Sequence, residues 1–298
     1  MDIGLLSVSM SVYSSKRIAE EAEKLGHYLE LVDHTKCSVK LGSDQPQIYI
    51  RDENITQEFQ AIIPRIGAKV TRHGVAIVKQ FEMNGVFSTA RSLAITRARN
   101  KVRTLQIMAR KGIPIPETLF SINPDNIEEQ IKILGGTPVI IKLQEGTQGL
   151  GVILAETKKS AKSIIDTFYK MDTSILIQKY IEESNGEDIR IIVVGNKVVA
   201  AMKRISDVGE FRSNVHRGGQ TQAIKLTEKE NHIALNASKY LGLGVAGVDL
   251  IRSRKGPLLI EVNASPGLRG IEAATGINVA KEIIRYVERN AVRKRWKR

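Results

Sequence analysis

The sequence predicts an α+β fold, because strand-like segments occur in adjacent pairs between amphipathic helices rather than alternating singly with them. Two of these pairs are joined by short turns, at 195–196 and at 253–256, which indicates antiparallel hairpins. Residues 1–33 instead follow a strand–helix–strand order that is typical of an α/β unit. We therefore expect an N-terminal α/β lobe followed by antiparallel sheets covered by helices.

The composition limits the classes of protein to which this chain could belong. With 298 residues, 42% of them hydrophobic, the chain can bury a core and divide into two or three lobes. Its single cysteine excludes an intrachain disulfide and suits a reducing compartment. The start lacks the features of a signal peptide, and no apolar run approaches the ~20 residues of a membrane span. We expect a soluble, cytoplasmic protein.

The formal net charge of +13 has two interpretations. It favours anionic partners such as a nucleotide, a nucleic acid, the ribosome or an acidic peptide. It is equally compatible with a solvated basic surface, because the charges are spread along the chain. Only residues 292–298 form a basic run, and the alternative interpretation of this run is a frayed chain terminus.

The elements follow in order from periodicity and from start and stop residues. In the first lobe, a strand near 3–8, a helix from Ser14 to Gly26 and a strand over 27–33 precede a short strand at 61–67 and a long helix over 92–112. In the rest of the chain we expect strands in 118–122, 138–144, 151–156 and 174–181, hairpins over 188–205 and 245–263, and helices over 123–136, 157–171, 227–241 and 277–294.

The C-terminal hairpin carries a carboxylate pair. Folding about 253–256 places Asp249 opposite Glu261 or within one residue of it, and like charges at that spacing repel. Glu261 and Asn263 share a face of their strand. Two carboxylates and an amide oxygen suit Mg²⁺ or Mn²⁺. The alternative is a buried ion pair with Arg252 or Arg254.

A glycine-rich segment over 138–156 joins two strands. Lys142 lies on the first strand, and Gly149 and Gly151 belong to the connecting loop. Glycines let backbone N–H groups approach phosphates closely. We interpret the segment as a flap over ATP, with Lys142 on the α- and β-phosphates; the alternative is an ordinary hairpin.

Two further segments could complete a nucleotide site. The strand end Gln178, Lys179 and Tyr180 could offer backbone groups to adenine, and Asp188 could bind ribose hydroxyls; the alternative is an edge strand with an acidic turn. The loop 209–220 contains Arg212, Ser213, Asn214 and Arg217, which with Arg190 could neutralise a transferring phosphoryl group, or could form a basic surface loop.

In its motifs and their order, the chain resembles the RimK-type ribosomal-protein glutamate ligases of the ATP-grasp superfamily. The resemblance runs from about residue 1 to residue 290 and includes IPRIG, KLQEGTQGLGVILAE, FRSNVHRGG, AGVDLIRS and EVNASPGLRGIE. It implies an ATP-grasp fold with an N-terminal α/β pre-ATP-grasp domain over 1–95, a central subdomain with the flap over 96–182, and a C-terminal subdomain with the arginine loop and metal hairpin over 183–298.

The resemblance also implies a function and a set of binding residues. The implied activity adds L-glutamate to the C-terminus of a small-subunit ribosomal protein, in some members with poly-glutamate synthesis, by a homo-oligomer, a tetramer. By the family pattern, ATP is bound by Lys142, Lys179, Tyr180, Asp188 and Arg212–Asn214. By the same pattern, two Mg²⁺ or Mn²⁺ ions are bound by Asp249, Glu261 and Asn263.

The motifs predict an ATP site, the resemblance implies an ATP-dependent carboxylate–amine ligase, and we expect this ligase to work through an acyl phosphate. Arg190 and Arg212 are the predicted catalytic residues, and Lys16, Arg17, Arg65 and Arg217 are candidates for binding acidic substrates. One rival is an ATP-grasp ligase that glutamylates a small molecule or cofactor. The other is a basic nucleic-acid-binding module, which predicts aromatics interleaved with the charges; the only tryptophan lies in the tail, and no nucleic acid is required.

Overall fold

A computed structural model describes residues 1–42, 45–121, 126–144, 151–207 and 219–291. Within them, the chain forms three groups of strands that carry the predicted pairs, so the predicted α+β class is confirmed. We call these groups the N-terminal, central and C-terminal lobes. In the described residues, no helix is both long and apolar enough to cross a membrane.

The N-terminal lobe is built on a parallel sheet. Strand order is β2-β1-β6-β7, and a small antiparallel sheet of β3, β4 and β5 packs beside it. The elements are β1 Asp2–Leu6, α1 Tyr13–Lys24, β2 Tyr28–Val32, β3 Cys37–Lys40, β4 Gln47–Ile50, β5 Glu53–Asn54, β6 Ala61–Pro64, α2 Thr71–Met83 and β7 Phe87–Ser88. The strand–helix–strand opening is therefore confirmed.

The predicted long helix over 92–112 is wrong, because two helices replace it. Helix α3 spans Ser92–Arg99 and α4 spans Lys101–Arg110. Between them Asn100 has an extended backbone (φ −97°, ψ 105°), and its side chain accepts a hydrogen bond from the Arg103 N–H at 2.9 Å. Asparagine competes for backbone groups and favours helix caps, so it ends one helix and starts the next.

The central lobe is an antiparallel sheet in the order β10-β9-β11-β8 with two helices on it. Its elements are β8 Thr118–Ser121, α5 Ile127–Ile133, β9 Val139–Leu143, β10 Val152–Ala155, α6 Lys158–Lys170 and β11 Ile175–Lys179. Helix α6 begins with a capping box between Thr157 and Ser160. The apolar side chains of the central lobe form a core that is separate from the other two hydrophobic clusters.

The C-terminal lobe is a five-stranded antiparallel sheet in the order β14-β13-β12-β15-β16. Its elements are β12 Glu187–Val194, β13 Lys197–Ile205, β14 Gln220–Ala223, α7 Glu228–Leu241, β15 Val245–Ser253, β16 Gly256–Asn263, α8 Arg269–Thr275 and α9 Val279–Asn290. Both predicted hairpins are present. This lobe shares its cores with the N-terminal lobe: one cluster contains Phe59 and Phe81 together with Val248 and Leu250.

Candidate active site

One face of the C-terminal sheet carries a row of charged side chains across four neighbouring strands. Asp188 on β12 is the register partner of Arg204 on β13, and Arg190 on β12 is the partner of Asp249 on β15. Asp249 is in turn the partner of Glu261 on β16. Because directly opposed residues of antiparallel strands lie on the same face, these side chains form one polar surface.

The predicted opposition of Asp249 and Glu261 is confirmed, and it depends on a β-bulge. Near the turn, Ser253 pairs with Gly256 and Leu250 with Leu259, whereas Asp249 pairs with Glu261. Ile260 is therefore the extra residue on β16. Without it, strict alternation from the turn would send Glu261 to the other face of the sheet.

Asp249 is 4% exposed and is held by two arginines. Arg190 donates to it through one edge of its guanidinium group, Nε to Oδ1 and Nη2 to Oδ2 at 2.7 Å, and Arg204 Nη2 lies 3.2 Å from Oδ2. Burial alone would raise the pKa of Asp249, but the charges and hydrogen bonds of Arg190 and Arg204 outweigh it and hold that pKa below its usual value.

The predicted alternative for the carboxylate pair was a buried ion pair with Arg252 or Arg254. In the part of the chain that it describes, the structure shows that neither of these arginines is involved. Arg252 binds Glu230 at 2.7 Å, and Arg254 donates only its backbone N–H to Glu183 among the described residues. Arginines from two other strands fill that role, because the sheet order brings β12 and β13 to the polar face.

Glu261 and Asn263 lack such partners. In the described part of the chain, no ion pair or hydrogen bond engages the Glu261 carboxylate, and the buried Nδ2 of Asn263 has no hydrogen-bond partner. Across the described ranges, no cluster of three or more His, Cys, Asp or Glu side chains could hold a metal. A mixed set of two carboxylates and an amide nevertheless fits a hard divalent cation that takes its other ligands from phosphates.

Lys142 lies on β9 and donates a 2.6 Å hydrogen bond to Oε1 of the buried Gln178 on β11. Gln178 in turn donates to Thr118 Oγ1 at 2.7 Å, which fixes its orientation. Burial lowers the pKa of the Lys142 ammonium to about 8, and the negative charges of Glu261 and Asp249 oppose this effect. Lys142 therefore lies within electrostatic reach of two carboxylates of the C-terminal lobe.

We expect ATP affinity to fall as the pH rises through about 8, because the Lys142 ammonium is cationic only below its lowered pKa. Each unit above that pKa should weaken the lysine's contribution up to about tenfold. Calorimetric titration of ATP at pH values on both sides of 8 measures this change. Lys142→Arg stays charged, so it should remove the dependence; an unchanged dependence in that variant would assign it to another group.

The glycine-rich loop lies mostly outside the described residues, and Gly149 is among those not described. Gly151 is described and begins the return strand, with a positive φ of 74°. A Cβ at this position would lie 2.4 Å from Leu143 Cδ1, and the Gly151 carbonyl accepts a 2.9 Å bond from the Leu143 N–H. Gly151 therefore has a structural reason to be glycine, beside its predicted role at phosphates.

Gly151→Ala is expected to destabilise the β9–β10 hairpin and to weaken ATP binding. A residue with a Cβ in this conformation costs about 1–3 kcal/mol, and the contact with Leu143 adds to it. Thermal unfolding and ATP titration should be measured together, with Leu143→Ala and the double variant beside them. The double variant relieves the contact but not the backbone strain, so full recovery of stability would contradict the strain argument.

The predicted adenine and ribose residues lie at the end of β11 and the start of β12. The Lys179 backbone N–H already donates to the Glu117 carbonyl at 2.9 Å, and its exposed ammonium lies 3.3 Å from Glu117. Tyr180 is half-buried, and burial raises its pKa. Asp188 binds Arg204, with Arg204 Nε donating to Oδ1 at 2.6 Å. The roles of these residues in nucleotide binding stay predictions.

The predicted arginine-loop residues Arg212, Ser213, Asn214 and Arg217 lie outside the described residues. Of the predicted substrate residues, Lys16 is exposed and 4.0 Å from Glu20. Arg17 binds Glu20, Glu21 and Glu272 and so joins α1 to α8. Arg65 donates to the Pro266 carbonyl at 2.8 Å, which places it near the end of the β15–β16 hairpin.

Two arginines at the site were missed by sequence reasoning. A hairpin turning at 195–196 would pair Asp188 with Lys203, but a bulge at Val199 shifts the register so that Asp188 faces Arg204. Lys203 instead bonds Glu187 at 2.9 Å. Arg99 ends α3, and its Nη2 donates to the Ile66 carbonyl. No local signal distinguishes Arg99 from the other basic residues of its helix.

Comparison with known proteins agrees with this architecture. A family profile described as "RimK-like ATP-grasp domain" matches residues 98–287, and one described as "RimK PreATP-grasp domain" matches residues 1–95. A relative from Vibrio cholerae serotype O1 named "Probable alpha-L-glutamate ligase" is 49% identical over 297 residues, which is 100% of this chain and 98% of the relative. A relative of the same name from Nitrosococcus oceani is 50% identical over 295 residues, with 99% and 98% coverage.

Solved structures share the fold at low sequence identity. A RimK domain protein ATP-grasp from Sphaerobacter thermophilus superposes with a TM-score of 0.74 at 19% identity, covering 96% of this chain and 99% of that one. The ATP-grasp ligase PsnB, complexed with a phosphomimetic variant of its minimal precursor, Mg and ADP, gives a TM-score of 0.74 at 18% identity with 97% coverage of both chains.

Proposed function

The chain belongs to the family of RimK-like ATP-grasp ligases, and on that basis we propose that it joins L-glutamate to an acceptor carboxylate at the expense of ATP. The proposed acceptor is the C-terminus of a small-subunit ribosomal protein, with poly-glutamate synthesis as an extension of the same reaction. The proposal includes a cytoplasmic location and a homo-oligomer, a tetramer, as the working form.

The observation that carries this proposal is the position of Lys142 relative to the polar face of the C-terminal sheet. Lys142 belongs to the central lobe, yet its pKa responds to Glu261 and Asp249 of the other lobe. A cation within electrostatic reach of two carboxylates suits a polyphosphate with its divalent ion between them. The relatives' names supply glutamate as the proposed substrate.

The proposed reaction has two steps. An acceptor carboxylate oxygen attacks the γ-phosphorus of ATP, the bond to the bridging oxygen breaks, and ADP leaves. The glutamate amine then attacks the carbonyl carbon of the acyl phosphate, inorganic phosphate leaves, and the amine loses a proton. The protein's contribution is positioning and charge neutralisation, as for other phosphoryl transfers.

The described residues take distinct parts in this reaction. Lys142, oriented by Gln178, would bind phosphate oxygens. Asp249, Glu261 and Asn263 would hold Mg²⁺ or Mn²⁺ ions, which when bound neutralise charge on the phosphates. Arg190 and Arg204, which contact Asp249 in the structure, would neutralise negative charge on the transferring group. Arg212 keeps its proposed catalytic role from the sequence.

Mass spectrometry of acceptors tests the proposal. Candidate ribosomal proteins and small-molecule carboxylates are incubated with the protein, ATP, Mg²⁺ and glutamate. A mass increase of one glutamate residue or more on a ribosomal protein C-terminus is the expected result. An increase only on small molecules would support the rival ligase, and no increase on any acceptor would contradict the function.

Isotope transfer tests the chemistry independently. An acceptor labelled with ¹⁸O in its carboxylate should pass one labelled oxygen to the released phosphate. An adenylating enzyme would instead place the label in AMP and release pyrophosphate. Detection of AMP would overturn the acyl-phosphate step and leave the family assignment unchanged.

A further inference from the structure

Two arginines from distant parts of the N-terminal region meet beside the metal hairpin. Arg65 follows β6 directly, at the carboxyl edge of the parallel sheet, and its backbone N–H donates to the Leu6 carbonyl at 2.8 Å. Arg99 ends α3 and donates to the Ile66 carbonyl, next to Arg65. Ligands of parallel α/β sheets bind outside the carboxyl ends of the strands. The pair therefore lies where a substrate of the N-terminal lobe would lie.

In the part of the chain that the structure describes, no acidic side chain forms an ion pair with either arginine. Among the described residues, both guanidiniums bind only backbone carbonyls, Pro266 for Arg65 and Ile66 for Arg99, and the buried Arg99 Nε has no hydrogen-bond partner. Burial lowers the pKa of both side chains, and the charge of Arg99 lowers that of Arg65 further. Two like charges held together are costly unless an anion joins them, and Glu261 acts on Arg99 only at a longer range than an ion pair.

Contacts connect this pair to the proposed catalytic face. Pro266, which receives the Arg65 bond, packs on Gly247, where a Cβ would lie 2.7 Å from Pro266 Cβ. Gly247 is the register partner of Asn263, whose buried Nδ2 also lacks a partner. Glu261 favours the charged form of Arg99, so the two lie within electrostatic reach. The unfilled donors thus border the residues proposed to hold the cation.

We propose that Arg99 and Arg65 bind a substrate carboxylate at the edge of the Asp249–Glu261 hairpin, an assignment that rests on the ligase function proposed above. A planar guanidinium offers paired N–H groups that match a carboxylate. Both substrates of the ligase carry one: the incoming amino acid and the acceptor. The phosphates of ATP are assigned to Lys142 and the divalent ion in the function proposed above.

The decisive variant is Arg99→Gln, with Arg99→Lys beside it and Arg103→Gln as the matched control on the neighbouring helix, where Arg103 is exposed. Steady-state ADP release gives the KM of each substrate, and calorimetry gives the Kd of ATP. Loss of a charge-assisted bond should raise one KM by about 10–100-fold while the Kd of ATP stays near that of the parent. The lysine variant should recover only part of the loss, because lysine cannot bind in the paired geometry.

Amidated substrates identify the carboxylate. If it belongs to the amino acid, the parent should discriminate against the α- or γ-amide of glutamate, and Arg99→Gln should lose that discrimination. If it belongs to the acceptor, calorimetry without ATP should show that the parent binds the acceptor peptide more tightly than its amidated form, which cannot react, and Arg99→Gln should lose that difference. The proposal is overturned if Arg99→Gln changes only the Kd of ATP, or if its KM values equal those of Arg103→Gln. If Arg99→Gln does not fold by circular dichroism, Arg65→Lys replaces it in the same assays.

Failure of the proposed function gives a different result. A screen of all the amino acids for ADP release identifies the one that the parent uses. If that amino acid is not glutamate, the proposed glutamate ligase function is wrong. The comparison of Arg99→Gln with the parent is then made with the amino acid found. If no amino acid supports turnover and calorimetry detects no binding of glutamate or acceptor peptide to the parent with an ATP analogue and Mg²⁺, both proposals fail.

Discussion

Replacing Glu261 with glutamine is expected to lower turnover by roughly 10²-fold or more while the fold stays intact, because the change removes a charge that balances a cation and phosphates. In the described residues Glu261 has no partner whose loss would unfold the protein. Glutamine has nearly the same shape, so the C-terminal sheet should be preserved. ADP release and circular dichroism of variant and parent measure the two halves of this prediction.

Glu23→Gln provides the control for this change, because Glu23 is exposed on α1 and far in sequence from the polar face. Titration with Mg²⁺ in the presence of ATP adds a second measurement. The Glu261→Gln variant should need more Mg²⁺ for half-maximal activity, if any activity remains. Parent-like turnover at parent-like Mg²⁺ would show that Glu261 does not bind the cation.

Replacing Asp249 with asparagine should instead affect stability strongly. Asp249 is the shared partner of Arg190 and Arg204, and removing one member of a buried charge network leaves the others without compensation. Such changes cost about 3–5 kcal/mol of the free energy of unfolding. Urea denaturation of the parent and the variant measures this difference, and Asp52→Asn at an exposed turn serves as the control.

The pH dependence of stability gives a second readout for Asp249. Its pKa is lowered in the folded state, so its contribution is complete above the unfolded-state value of about 3.9 and is lost as the pH falls through the lower folded value. The stability difference between parent and Asp249→Asn should therefore shrink toward acid pH. A difference that is constant with pH, or absent at neutral pH, would contradict the network as a stabilising feature.

The sequence by itself determined the residue types of the site and many of the local elements, although it did not predict α2, α8 or the small sheet of β3, β4 and β5. Turn residues and strand alternation are short-range signals, and they correctly predicted both C-terminal hairpins and the shared face of Glu261 and Asn263. Motif order also indicated the ATP-grasp family, which the comparisons confirm. The one wrong helix, over 92–112, followed from periodicity that continues across Asn100, although its side chain caps the second helix there.

Register and partners were decided only by the tertiary structure. A single extra residue reverses the faces of a strand, and the bulges at Ile260 and Val199 bring Glu261 opposite Asp249 and Arg204 opposite Asp188. Arg65 and Arg99 are brought together by the packing of α3 against α2 and β16, which no local spacing encodes. The type of a residue is given by its own position in the sequence. The counter-ions of a buried charge, in contrast, depend on strands and helices that come together only in the folded protein.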